Sequence, residues 1–367
     1  MLGRKSNRLL CRALCTPLML FSTMGAATLV PIVALAGGAV VALTAPAWAQ
    51  GGCVIGPAKA GAGFSVDTFV SGLPYNSNLV DQQFGVSGGS CIGPWGIAFT
   101  GSTAYVTTSG DPGGLFRFGA TGGPANVAHT VDSMPFQGAP VFDRGHFYVI
   151  ENSPDPGHAT VVEADPQNGV TMRTIATGLD CPQYLVADPV NGDLFTQDGC
   201  SGWPSSSAIE EIVSPASSRP TLRTYANVTG SPLMGAIAFA PDGVLYVITG
   251  YGIVASVPPG GGRFVPLFKQ SAVPALAPGA TAVAVAKTSA GGHATSLWIT
   301  VFSDADHDAS QLYLVNLASK SPTAQLALTA GGSGSHLMSV VVGPHGCVYA
   351  TSTSTILRVS TAGQTCT

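Results

Sequence analysis

The densest cluster of potential chemistry in the chain is Asp304-Ala305-Asp306-His307-Asp308. Three carboxylates at alternating positions resemble the opening of an oxygen-rich calcium loop. The full calcium-loop pattern is not met: no glycine follows Asp308, and Val315 stands where the closing glutamate would be. A second loop, from Glu151 to Ala159, is stiffened by Pro154 and Pro156 and carries Glu151, Asp155 and His158. A histidine beside carboxylates has the chemistry of a general base. The plain reading expected of these residues is a pair of solvated acidic loops with surface histidines. The alternative is a site for a divalent cation such as calcium, held by Glu151, Asp198 and Asp304, with His158 or His307 as base. No phosphate-cradling loop is present.

These side chains act together only if the chain brings their loops to one place. The stretch Gly235 to Thr249, GAIAFAPDGVLYVIT, is an apolar strand, a Pro-Asp-Gly turn and a returning apolar strand. Related hairpins begin at Gly93, Gly138, Gln183, Thr281 and Leu337, and one or two further strands follow each. A period of roughly 40–60 residues over six units reads as a radial repeat. The fold class expected is all-β, a six-bladed β-propeller of four-stranded sheets around a channel. The sixth unit stops one strand short, while Phe64 to Val70 alternates as a spare strand. That strand is expected to complete the sixth blade and clasp the ring. The aromatics Tyr105, Tyr148, Phe195, Tyr246, Trp298 and Tyr349 recur at equivalent places in the second strands and are expected to fill the space between blades.

In this topology the starts of inner strands and the ends of second strands share one face, around the channel mouth. Binding residues sit preferentially in such mouths, on loops held by a rigid scaffold. Glu151, Asp198 and Asp304 fall at second-strand ends. Trp95, Gln183, Tyr184 and His336 fall at inner-strand starts and are the candidate ligand-binding residues.

The first 49 residues read as a signal peptide: a start with Arg4, Lys5, Arg8 and Arg12, an apolar run from about Pro17 to Ala45, and cleavage after Ala47-Trp48-Ala49. An uncleaved anchor is the alternative, because the run is long enough to span a bilayer. Residues 50–63 read as a flexible lead-in and 64–367 as the propeller. After cleavage, 11 basic residues (15 less the four in the leader) stand against 19 acidic ones, a net charge of −8. There is no basic patch, so nucleic acid is not an expected partner. There is no second apolar span, so no membrane association is expected after cleavage. A secreted or periplasmic monomer that meets an extracellular ligand or protein is expected.

Outside the leader the cysteines are Cys53, Cys91, Cys181, Cys200, Cys347 and Cys366. An even number suits an oxidising compartment. Cys181 and Cys200 are equidistant from the turn at Val190-Asn191, so the antiparallel hairpin brings them to the same end; a Cys181–Cys200 bridge is expected. For the rest, Cys347–Cys366 and Cys53–Cys91 are the expected pairs, a bridge from Cys53 to the C-terminal region being the alternative.

Gly93-Pro94-Trp95-Gly96-Ile97-Ala98-Phe99 and the APDGVLYVIT ending at Thr249 resemble the repeats of the propeller group that includes NHL-repeat proteins, gluconolactonase- and regucalcin-like hydrolases and streptogramin lyases. The resemblance implies a propeller over the whole mature chain. The hydrolases of that group carry a metal-binding glutamate before the Gly-Pro-x-Trp-like segment and an asparagine before the glycine of a later inner strand. Here Ile92 and Met234 stand at those places. The function expected is a binding or scaffold module that uses its mouth, and the alternative is a divalent-cation-dependent hydrolase or lyase, lactonase-like, acting at the same face.

Overall fold

A computed structural model describes residues 56–75, 93–108, 113–132, 138–153, 157–180, 182–198, 207–228, 233–249, 253–276, 279–301, 309–319, 322–331 and 336–366. They form six sheets, antiparallel apart from one two-residue parallel pairing, and no α-helix occurs among them. Blade 1 consists of Pro94–Thr100, Thr103–Thr108, Gly114–Phe118 and Thr130–Asp132. Blade 2 follows with Val141–Asp143, His146–Glu151, Ala159–Ala164 and Thr171–Leu179. Blade 3 has Leu185–Ala187, Leu194–Asp198, Ser207–Val213 and Thr221–Val228, and blade 4 has Leu233–Phe239, Leu245–Thr249, Ile253–Val257 and Val265–Lys269. Blade 5 has Ala280–Thr288, Ala294–Val301, Ala309–Asn316 and Thr323–Gly331. Blade 6 takes three strands from the C-terminal part, Ser339–Val342, Val348–Ser352 and Thr355–Thr361, and its outer strand, Phe64–Ser71, from the N-terminal side.

The register shows why the six units are equivalent. In each blade a small or β-branched inner-strand residue faces the second-strand aromatic: Ala98 faces Tyr105 and Val141 faces Tyr148. Val186 likewise faces Phe195, Ala238 faces Tyr246, Ala284 faces Trp298 and Val341 faces Tyr349. All six aromatics are buried. They pack between sheets as expected: Tyr105 lies 5.1 Å from Phe142 and Phe147 of the next blade, and Phe195 lies 4.8 Å from Phe239. Aromatic pairs at 4.5–7 Å add to the burial of their large apolar area.

The ring closes as the sequence predicts. Phe64–Ser71 runs antiparallel to Thr355–Thr361, with Val66 opposite Val359 and Asp67 opposite Arg358. Arg358 Nε lies 3.1 Å from Asp67 Oδ1, its Nη1 donates to the Cys366 carbonyl, and its guanidinium sits 5.6 Å from the Phe69 ring centre. A disulfide joins Cys347 to Cys366 with Cα atoms 5.8 Å apart, one of the expected pairs. Two additional ties were not foreseen. Gly123–Pro124, from the blade 1 connection, pairs in parallel with Val70–Ser71. Lys59–Ala60 pairs with Thr329 and Leu328 on the outer strand of blade 5. This part of the lead-in is ordered because a bare outer strand offers unpaired N–H and C=O groups, and the lead-in covers that edge.

Candidate functional site

Two positions toward the mouth from the inner-strand residue that faces each aromatic stand Gly96, Ala139, Tyr184, Ala236, Ala282 and Ser339. Five are small and one is a tyrosine. Tyr184 is 1% exposed, and its hydroxyl donates to the Met338 carbonyl at 2.7 Å. Blade 3 and blade 6 face each other in a six-membered ring, so this side chain lies across the channel like a bar. Burial pushes the Tyr184 hydroxyl well above the ordinary tyrosine value, which keeps it a donor at any physiological pH. Trp95 packs edge-on to Tyr184 with ring centres 6.3 Å apart and is itself 4% exposed. Trp95, Ala139, Tyr184, Ala236, Ala282 and Met338, one from each inner segment, belong to a single buried cluster.

The Gly-Pro-Trp-Gly motif is explained by the seating of Trp95. A Cβ on Gly93 would fall 1.5 Å from the Thr353 carbonyl oxygen of blade 6, and one on Gly96 would fall 2.3 Å from the Ala139 Cβ of blade 2. Only glycine permits so close an approach on both sides.

Around the bar runs a collar of buried hydroxyls from second-strand ends and inner-strand starts. Thr107 donates to the Gly138 carbonyl, linking blades 1 and 2. Thr281 and Thr300 share a hydrogen bond of 2.8 Å, and Thr351 Oγ1 accepts the Ser339 amide at 2.9 Å. Four polar atoms at this level are buried and have no hydrogen-bond partner among the described residues: Trp95 Nε1, Thr108 Oγ1, Gln197 Oε1 and Ser339 Oγ. Buried polar atoms are paired in the large majority of cases, so such atoms mark a place where a partner fits.

The other candidates take the following places. Gln183 is half-buried and its Oε1 accepts Gln197 Nε2 at 3.3 Å. Asp198 Oδ1 accepts the Asp180 amide at 2.8 Å, which ties the end of a second strand to the segment leading into the same blade. Glu151 is half-buried and lies 3.5 Å from Thr160 Oγ1. His158 is exposed, and His336 is half-buried just ahead of Leu337 and Met338. Asp304, His307, Cys181 and Cys200 lie outside the described residues. Among the described residues, no three His, Cys, Asp or Glu side chains come together to hold a metal ion.

A charged network on the far side of blade 2 was missed. Glu163 is 7% exposed; His146 Nδ1 lies 2.6 Å from one of its oxygens and Arg173 Nε 2.7 Å from the other. Arg173 also donates to the Pro215 and Ser217 carbonyls of blade 3. Glu163 stands opposite the aromatic Tyr148 on one side and Arg173 on the other. Burial, with the nearby Glu163 charge, pushes the Tyr148 hydroxyl up to about 12. The same arrangement recurs in blade 3 as Phe195, Glu211 and Arg223, and in blade 6 with charges exchanged as Tyr349, Arg358 and Asp67. Reading the third strand against the aligned aromatics would have found it.

No family model matches the sequence, and no curated protein matches it. Solved structures do. The aldose sugar dehydrogenase of Streptomyces coelicolor in its PQQ-bound form is 13% identical with a TM-score of 0.53, over 82% of this chain and 99% of that one. The soluble aldose sugar dehydrogenase of Escherichia coli in the apo form is 14% identical with a TM-score of 0.52, over 81% and 99%. The chain is a six-bladed β-propeller. An auxiliary nutrient binding protein from Bacteroides thetaiotaomicron is also similar, at 12% identity and a TM-score of 0.52, over 81% of this chain and 76% of that one. At these identities the likeness concerns the fold, and the propeller's own mouth has to supply the functional reading.

Proposed function

We propose that this propeller is an exported binding module that takes an uncharged, hydroxyl-rich small molecule at its mouth. The observation that carries this reading is the set of buried, unpartnered polar atoms, Trp95 Nε1, Thr108 Oγ1 and Gln197 Oε1, beside a channel barred by Tyr184. An indole donor, a hydroxyl and an amide acceptor against an aromatic floor suit a sugar-like ligand, and none of the three carries charge. Sugar dehydrogenases and a nutrient-binding protein share the fold, which is in keeping with this ligand class.

Thermal melting of the full-length chain against a panel of monosaccharides tests the proposal. A ligand that binds only the native state raises stability by about 2.7 kcal/mol at a hundredfold excess over Kd. One sugar should give a saturable rise, weakened at least fivefold by Thr108→Val and by Gln197→Met. No rise with any sugar at 50-fold the concentration of a typical ~1 mM Kd would overturn it. A rise with calcium instead, removed by Glu151→Gln, would favour the cation-dependent hydrolase or lyase.

A further inference from the structure

On the side of the Tyr184 bar away from the mouth, the channel widens into a well of about 610 Å³ that opens among the turns joining inner to second strands. Its wall is made of inner-strand residues such as Ala98, Ala139, Val141, Ala187, Ala236 and Val340. The volume exists because these residues are small. Tyr184 closes the inner end, so the well is blind. Three lining side chains are polar. The Tyr184 hydroxyl is committed to Met338, and Asp143, at the open rim, is paired with Arg144 at 3.8 Å. Ser339, level with the bar, is 1% exposed and its Oγ has no partner among the described residues.

We propose that this well is a second ligand site, on the face opposite the mouth, for a compact apolar ring compound carrying one hydroxyl, of the phenol or alicyclic alcohol class. Ligand cavities are commonly 300–1,000 Å³ and mostly apolar, with a few placed polar groups that fix orientation. This well has that size, an apolar wall and one uncommitted hydroxyl at its closed end. Water inside would find few partners on such a wall, so its displacement by a ring is favourable. The ligand hydroxyl would enter first and pair with Ser339 Oγ, relieving a buried unpaired group.

Titration of the full-length chain with 2-naphthol and, separately, naphthalene tests this site, each followed by its own fluorescence. Both are expected to bind saturably at one site per chain. Ala187→Trp, which fills the well, should weaken both at least tenfold. Ala98→Leu is the milder filling variant and should weaken both if the tryptophan variant does not fold. Ser339→Ala should weaken 2-naphthol about fivefold to tenfold and leave naphthalene within twofold. Absence of saturable binding, or binding that neither folded filling variant weakens, would overturn the site. Equal loss of both compounds in Ser339→Ala would overturn the hydroxyl pairing.

Discussion

The Tyr184 hydroxyl donates to the Met338 carbonyl at 2.7 Å, across the axis of the ring and 154 positions along the chain. This one bond separates the channel into a polar mouth and an apolar well, and it couples two opposite blades that share no sheet. Contacts between blades join mainly neighbours; together with the Trp95–Tyr184 ring contact, this cross-axis bond resists distortions that neighbour contacts do not.

Tyr184→Phe keeps the ring and removes the donor. The Met338 carbonyl is then left buried, and the expected loss is about 1–2 kcal/mol, the cost of an unsatisfied buried acceptor. Tyr184→Ala also opens a cavity and should lose about 3–5 kcal/mol. Urea denaturation of the two variants measures both; no loss in Tyr184→Phe would mean that the hydroxyl contributes nothing, and equal losses would mean that the ring adds nothing beyond it.

Much of this was legible in the sequence. The hairpin period gave six blades, the missing outer strand gave the clasp, and the recurrent aromatics gave the packing between blades. Tyr184 was legible as a candidate by position, but its direction was not, because a strand's alternation does not say what lies across the channel from it. The clue was comparative: at the aligned positions Gly96, Ala139, Ala236, Ala282 and Ser339 are small, and one large side chain among five small ones fills the space they leave. Lys59–Ala60 was illegible because nothing in two residues signals a strand; the open edge of blade 5 recruits them. The Glu163 network was legible only by aligning the third strands against the recurrent aromatics. Charges on third strands look solvent-facing until the neighbouring blade's loop, here Pro215 to Ser217, covers them.

That network makes stability depend on pH. Burial alone would raise the Glu163 carboxyl, but hydrogen bonds from His146 and Arg173, helped by their charges, outweigh it and hold the group below its usual value. A carboxyl with a lowered folded-state value adds stability that is fully present above the unfolded-state value, about 4.3, and is lost as pH falls through the folded-state value. Glu163→Gln should therefore lose about 1–3 kcal/mol at pH 7. The gap between it and the parent should narrow below about pH 4. Melting curves of both proteins from pH 3 to 8 measure this, and a constant gap would show that the charge is not responsible.

The Cys347–Cys366 bridge closes a loop of 19 residues at the last blade. The chain-entropy relation assigns such a loop about 3 kcal/mol. The double variant Cys347→Ala, Cys366→Ala is expected to lose about 2–4 kcal/mol in denaturant titration. In the same protein, digestion without reductant followed by mass spectrometry should recover a Cys181–Cys200 peptide pair, since the Asp180 amide already bonds the Asp198 carboxylate at 2.8 Å.

The clasp is the remaining dependency. Phe69 is 1% exposed and stands 5.1 Å from Tyr349 of blade 6 and 6.4 Å from Phe99 of blade 1. It fills the seam between the last sheet and the first. Phe69→Ala should lose about 3–5 kcal/mol. Asp67→Asn, on the same strand but 56% exposed at the side chain, should lose no more than about 1 kcal/mol. If packing at the seam holds the ring shut, a chain lacking residues 56–72 leaves Thr355–Thr361 as an open edge and should aggregate or pair with a second copy. A synthetic peptide of residues 56–72 added in trans should then restore a monomer. Failure of the peptide to do so, with the truncated chain still monomeric and cooperative in melting, would show that the other five blades hold the ring without the clasp.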